Sequence, residues 1–340
     1  MVDEDTAGQR LDNFLLRVLK GVPKTHVYRV IRSGEVRVNG GRAAADTRLA
    51  AGDEVRVPPV RTAAVPVDAA SGPAREFPVL FEDEHLLALD KPAGVAVHGG
   101  SGVSSGVIEQ LRRARPQARF LELVHRLDRE TSGVLLVAKK RSALTALQDQ
   151  FRARGPDKAV GKTYAALVVG DWPAHLKVID VPLHKYLTPQ GERRVRTTSP
   201  DDEAGRRSIT LVQVARRLPG FTLLAVTIRT GRTHQIRVHL AGAGHPIAGD
   251  DKYGDFDLNR RLAREGLVPG GPVPEGLVPE GLVPEGLVRT GAQPVRLPRM
   301  FLHAQRLRIA HPATGLALDL QAPLPESLAR VVEALAPPGA

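Results

Sequence analysis

The stretch HRLDRETSG, residues 125–133, places His125, Arg126, Asp128, Arg129, Glu130, Thr131 and Ser132 between two apolar runs, FLELV and VLLVAKK. A routine turn between strands needs little more than Gly, Asn or Pro. One carboxylate on a short cationic loop between two strands has the makings of a nucleophile or a general base. In an extended segment Arg126 and Asp128 would project to one side, with His125 and Leu127 on the other. Thr131, Ser132 and Gly133 can then close the turn through local hydrogen bonds. Without further context, a loop aspartate of this kind reads as structural.

Two more stretches supply context. GKTYAALVVG carries Tyr164 early in a strand-like run, and TGRTHQIRVHLAGAGHPIAGD (230–250) begins with a glycine turn and opens a helix. There His234 and Arg237 are three residues apart and share a helix face. A guanidinium beside Asp128 would keep that carboxylate ionised and aimed. The Tyr164 ring offers a plane for stacking on a base and a hydroxyl for proton transfer.

Other motifs do not hold up. GVSSG (102–106) fits G-x-S-x-G, but its HGG neighbour lies on the same Gly-rich loop, whereas a hydrolase builds its oxyanion hole from a separate loop. GPDKAVGKT (155–163) has five residues between its glycines where a phosphate loop has four, and its helix-then-strand context is inverted. HRLD resembles the kinase HRD, yet no DFG or paired glycine loop accompanies it. His234, His239 and His245 lack metal-site spacing, so no metal is expected.

The elements that must position these residues follow from periodicity. Leu11, Phe14, Leu15, Val18 and Leu19 recur at helical spacing, then Val27, Val30 and Ile31, with Lys24, Arg29 and Arg32 outward. GEVRVNGG turns at Asn39-Gly40, and LAAGDEVRVP adds a strand. Residues 58–75, rich in Pro and Ala, read as a linker. Strand-like runs follow at FPVLFED, HLLALDKP, GVLLVAKK, KTYAALVVG, FTLLAVTIRT, RLRIAHP and LALDLQAP. Helical patterns fall at about 104–114, 141–153, 233–242 and 325–335. The fold class is therefore α+β, with a mixed, mainly antiparallel sheet and packed helices. Residues 265–289 are five pentads, four of them starting EGLV, in which recurring proline forbids a regular helix. A surface insertion is expected, and deletion of residues 267–288 should leave activity largely intact.

The chain of 340 residues carries 48 Lys and Arg against 37 Asp and Glu, a net +11, which favours a polyanionic partner. Eleven cations against five anions fall within residues 8–61. The absence of cysteine removes disulfides and thiol chemistry. The polar, acidic start MVDEDTAGQR is no signal peptide, and no apolar run reaches the ~18 residues of a membrane span. A cytoplasmic protein, most simply a monomer, is expected.

HRLDRETSG matches the H-R-L-D-x-x-T-S-G signature of the RluA family of RNA pseudouridine synthases, and KTY and TGRTHQIRVH lie where that family carries its tyrosine and basic motif. RLDNFLLR, SGEVRVNG and GDEVRVP resemble an S4 RNA-binding domain. The resemblance implies an S4 domain over 1–60, a linker over 61–75 and a catalytic domain over 76–335. It implies Asp128 as the essential residue, Tyr164 stacked on the uracil and serving the proton step, and Arg237 paired with Asp128. It places Arg126 in the space left by a flipped nucleotide, with His125, Arg232 and His234 further RNA contacts and Lys24, Arg29 and Arg32 on the S4 helix. No cofactor is implied. VHGGSGVSSGVIEQLR together with the S4 domain points to 23S ribosomal RNA as partner. The alternatives are a synthase acting on another RNA target, such as tRNA or another rRNA site, or a non-catalytic rRNA-binding or assembly factor for which Asp128 would be dispensable.

Overall fold

The computed structural model describes residues 1–3, 6–19, 22–60, 73–99, 105–153, 160–267 and 293–336. Helices α1 (Leu11–Val18) and α2 (Lys24–Ser33) precede strands β1 (Arg37–Val38), β2 (Gly41–Arg42) and β3 (Val55–Arg56), paired in the order β2-β1-β3. Leu11, Phe14, Leu15, Val27, Val30 and Ile31 meet Val36 and Leu49 in a small core of their own. Val18 departs from expectation and is 53 % exposed. It is the last helical residue, and the chain leaves the helix at Leu19, which packs inward in its place. Asn39 and Gly40 both adopt positive φ between β1 and β2, as a tight two-residue hairpin turn requires. Lys24, Arg29 and Arg32 are exposed on α2.

The larger sheet is assembled from β4 (Val79–Glu82), β5 (Leu86–Lys91), β6 (Glu122–Leu123), β7 (Ser132–Ala138), β8 (Gly161–Val169), β9 (Val178–Asp180), β12 (Ile209–Leu218), β13 (Phe221–Ile228), β14 (Leu302–Ala310) and β15 (Ala317–Gln321). Its main path runs β4-β5-β7-β14-β8-β13-β12-β9, with β6 on β7 and β15 on β14. Among the described residues only the β7–β14 pairing is parallel, so the sheet is mixed and mainly antiparallel as the sequence indicates. A separate hairpin joins β10 (Leu183–Leu187) to β11 (Arg193–Thr197).

Strand alternation distributes the apolar residues of β5 and β7 between two cores. Leu87, Leu89, Leu135 and Val137 face one core, and Leu86, Ala88, Val134 and Leu136 the other. The first core is covered by α3 (Val107–Ala114), α5 (Gln235–Gly242), α6 (Phe256–Arg264) and α7 (Glu326–Leu335), the second by α4 (Arg141–Arg152). Because β7 is buried on both sides, its sequence SGVLLVA is a continuous apolar run.

Four strands and one helix escape the periodicity reading. β9 is only three residues long, β10 and β11 are short and rich in Lys, Arg and His, and β12 breaks its alternation at a bulge between Val214 and Arg216. In α6 only Leu258 and Leu262 face the core, although Asp255 caps its first turn by accepting from Leu258 N–H. Most of the linker (61–72) and of the pentads (268–292) lies outside the described residues. At the neck of the pentads, Leu267 and Val295 exchange two backbone hydrogen bonds of 2.8 Å each.

Candidate active site

The HRLDRETSG loop is held from three directions. Thr131 N–H donates to the Asp128 carbonyl across the turn. Buried Lys91, at the end of β5, donates through Nζ to the carbonyls of Pro92, Val95 and Arg129 at 2.8–3.0 Å. Burial pushes the Lys91 pKa down to about 7. Three convergent carbonyls nevertheless match the three protons of its ammonium form. The Ser132 hydroxyl, expected to close the turn locally, instead donates to His303 Nδ1 on β14 (2.9 Å) and accepts from Arg299 (2.8 Å). His303 Nε2–H is committed to the Ala322 carbonyl, so the polarity of this buried chain is fixed. Gly133 has φ +109, and a Cβ there would lie 2.3 Å from the Ala304 carbonyl oxygen. Only glycine allows β7 and β14 to approach so closely.

This anchoring leaves Asp128 lining a cleft of about 1160 Å3, together with Tyr164, Arg126, Arg232, His234 and Arg237. Two of the sequence-selected residues converge on the carboxylate of a third. Arg237 Nη1 lies 3.7 Å and His234 Nε2 3.9 Å from Asp128 Oδ2. Asp128 is not the main partner of Arg237, however. Nε and Nη2 of Arg237 make a two-pronged ion pair with Asp250 at 2.7 Å, and both residues are almost completely buried. Burial alone would raise the Asp250 carboxyl, but the bonds from Arg237 and from the backbone of Lys252 and Tyr253 hold it below the usual carboxylate range. Arg237 is thereby fixed with Nη1 left toward Asp128.

Asp250 and Tyr253 escape a reading from sequence because they sit in the aperiodic run GDDKYG. The signal was the position of Asp250 in the same contiguous basic motif, thirteen residues after Arg237. His234 caps α5 with φ +52, a left-handed conformation that costs a non-glycine residue about 1–3 kcal/mol. Gln235 secures the turn: its oxygen accepts from the Thr230 hydroxyl and the Arg232 N–H, and its nitrogen donates to the Ile209 carbonyl and the Thr210 hydroxyl.

Tyr164, on β8 opposite Val226, is 8 % exposed. Burial first, and the Asp128 charge second, push its phenol well above the ordinary value, so it is a phenol at neutral pH. Arg126 is exposed at the cleft rim and Arg232 extends from the turn before α5. His125 is placed differently from an RNA-facing cation: its Nε2 accepts from Leu136 N–H and its ring stacks on Phe151 at 5.0 Å. Burial lowers its pKa to about 3, which keeps the ring neutral. Lys162, over the Phe151 ring at 4.2 Å, Lys185 and Arg207 add positive charge to the cleft.

The geometry agrees with what the chain is similar to. Residues 85–242 match a family described as RNA pseudouridylate synthase, and residues 9–55 match the S4 domain. Curated relatives include the ribosomal large subunit pseudouridine synthase C of Escherichia coli K12, 48 % identical over 98 % of this chain and 95 % of that one. The protein of the same name from Yersinia pestis is 48 % identical over 98 % and 94 %. Among solved structures, human RNA pseudouridylate synthase domain containing 4 aligns with a TM-score of 0.52 at 25 % identity, over 76 % of this chain and 94 % of that one. A second human structure, domain containing 1, gives 0.53 at 22 % identity over 78 % and 98 %, and supports the fold. With an S4 domain ahead of a mixed sheet that carries HRLDRETSG at the cleft, the chain belongs to the RNA pseudouridylate synthase family.

Proposed function

We propose that this chain converts uridine to pseudouridine in large-subunit (23S) ribosomal RNA, with residues 1–60 as its S4 arm and Asp128 as the reacting carboxylate. The observation that carries the reading is Asp128 facing a basic cleft, 3.7 Å from a buried Arg237 that Asp250 holds rigid. The curated relatives named above, similar over nearly their whole length, support the choice of RNA.

The reaction breaks the N1–C1′ bond and forms C5–C1′. The proton on C5 leaves and N1 gains one, so atoms balance without a redox or energy-supplying partner. Two roles fit the carboxylate: attack on C1′, or removal of the 2′ proton to give a glycal. Either role uses the carboxylate form of Asp128, toward which Arg237 Nη1 is turned at 3.7 Å. The target base must leave its stack, at a few kcal/mol that cationic backbone contacts offset. Arg126 and Arg232 at the rim would supply such contacts. Tyr164, held as a phenol, provides the stacking face and a hydroxyl that can donate.

Because C5 loses its hydrogen, RNA labelled with tritium at C5 of uridine reports turnover by release of tritium into water. Wild-type protein should release tritium from 23S transcripts or precursor particles, and Asp128→Asn should not. Release from tRNA in preference to ribosomal RNA would reassign the substrate. Release by Asp128→Asn at the wild-type rate would remove the proposed chemistry.

A further inference from the structure

His234 is held more elaborately than a surface RNA contact requires. Its Nδ1 lies 2.8 Å from the Tyr253 hydroxyl, and its ring meets the Tyr253 ring edge-on at 5.5 Å. That hydroxyl already accepts the Val195 N–H of β11 at 3.1 Å. The Tyr253 ring is braced in turn by Arg237, whose guanidinium lies 5.2 Å from the ring centroid, and by the packing of Leu183, Val195 and Val238. The backbone of His234 is one of two non-glycine positions with positive φ among the described residues, the other being the Asn39 turn. Left-handed backbone and a clamped ring together aim Nε2 at Asp128 Oδ2, 3.9 Å away.

We propose that His234 is a positioning residue for the Asp128 carboxylate, held by the Tyr253 hydroxyl as the tautomer that carries its proton on Nε2. The assignment rests on the reading of Asp128 as the reacting group. Two arguments converge on the tautomer. A phenol oxygen that already accepts from Val195 N–H has its single proton free, and donating that proton to His234 Nδ1 satisfies both groups. The opposite tautomer would set the Nε2 lone pair against a carboxylate, an arrangement electrostatics disfavours. His234 Nε2–H and Arg237 Nη1 thus flank the same oxygen, Oδ2. They bias the carboxylate to one orientation, and the outer face of the cleft is left for the nucleotide. The Val195 contact makes the β10–β11 hairpin part of this support.

The test reads tautomer and turnover separately. In full-length protein labelled with 15N-histidine, side-chain correlation spectra should show His234 protonated at Nε2, with the resonance identified by its loss in His234→Gln. Tyr253→Phe, which keeps the ring and removes only the hydroxyl, should shift His234 toward the Nδ1–H form. Single-turnover isomerisation should slow about 10-fold in His234→Ala with apparent RNA affinity little changed, as loss of a contact that orients the carboxylate without touching the RNA requires. His234→Gln, whose amide nitrogen reaches the Nε2 position, should recover most of that rate, and His234→Asn should not. An Nδ1–H wild type, an unchanged tautomer in Tyr253→Phe, or equal losses in Ala and Gln would each overturn the proposal, as would an effect confined to RNA affinity. A wild-type protein inactive on every RNA would instead overturn the proposed function, and the positioning role with it, while the tautomer is still read from the spectra.

Discussion

Arg237 sits among three carboxylates, Asp250, the exposed Asp251 at 3.3 Å and Asp128, and serves them unequally. Asp250 takes two bonds of 2.7 Å in an almost dry environment, and Asp128 is left at 3.7 Å with access to the cleft. Removing one partner of a buried ion pair leaves a charge uncompensated, at about 3–5 kcal/mol. Asp250→Asn is therefore expected to lower the unfolding free energy by that order and to slow turnover through a misplaced Arg237. Denaturant titration and single-turnover rates measure the two effects, and a variant as stable and active as the parent would contradict the assignment. His303 gives a second residue-level consequence. Burial draws its pKa down to about 4, whereas an unfolded histidine titrates near about 6.5. Between those values the unfolded chain binds more protons, so stability falls as pH falls from about 6.5 to 4, by up to about 1.4 kcal/mol per unit. Above pH 6.5 this histidine contributes no slope. His303→Gln should flatten the pH dependence of stability in that window, and an unchanged slope would show that His303 is not titrating there.

Among the elements, the sharpest constraint is the contact of β7 with β14. Gly133 combines φ +109 with the Ala304 backbone where a side chain would begin. Gly133→Ala should destabilise the fold by about 1–3 kcal/mol from the backbone alone and further from the clash, as denaturant unfolding would show; unchanged stability would refute the role given to the glycine. The legibility of the molecule in its sequence varies in the same terms. The buried strands β5, β7, β8 and β13 announce themselves because both faces, or one strict face, are apolar. Asp128, Tyr164 and Arg237 were legible because each sits in a compact motif. Asp250, Tyr253 and Lys91 were not, since they act through contacts made in three dimensions from aperiodic loops or a strand end. Ser132 shows the limit of local reasoning: its hydroxyl looked like a turn-closer and finds its partners on β14 and in the loop before it, at His303 and Arg299.

Across the whole molecule, the basic excess and the separate cores, one in the arm and two on the faces of the large sheet, describe an RNA-binding arm and a sheet-based domain, each with its own hydrophobic support. No helix of the described residues is long and apolar enough to cross a membrane. The pentads enter and leave through a neck closed by the paired Leu267 and Val295, with Leu267 only 5 % exposed. A deletion beginning at residue 267 would remove a core side chain, so the expected neutral boundary lies inside the neck. Replacing residues 269–291 with a short Gly-Ser turn should leave melting temperature and single-turnover rate close to the parent, because loop length alters closure entropy only slowly. Loss of most turnover with the fold intact would give the pentads a role in substrate engagement. The central claim is that Asp128 converts specific uridines of 23S ribosomal RNA. Its most direct test is pseudouridine mapping in cells that lack this protein, complemented with the wild type or with Asp128→Asn. Specific sites should vanish on deletion and return with the wild type alone. A map that never changes, or that Asp128→Asn restores in full, would contradict the account.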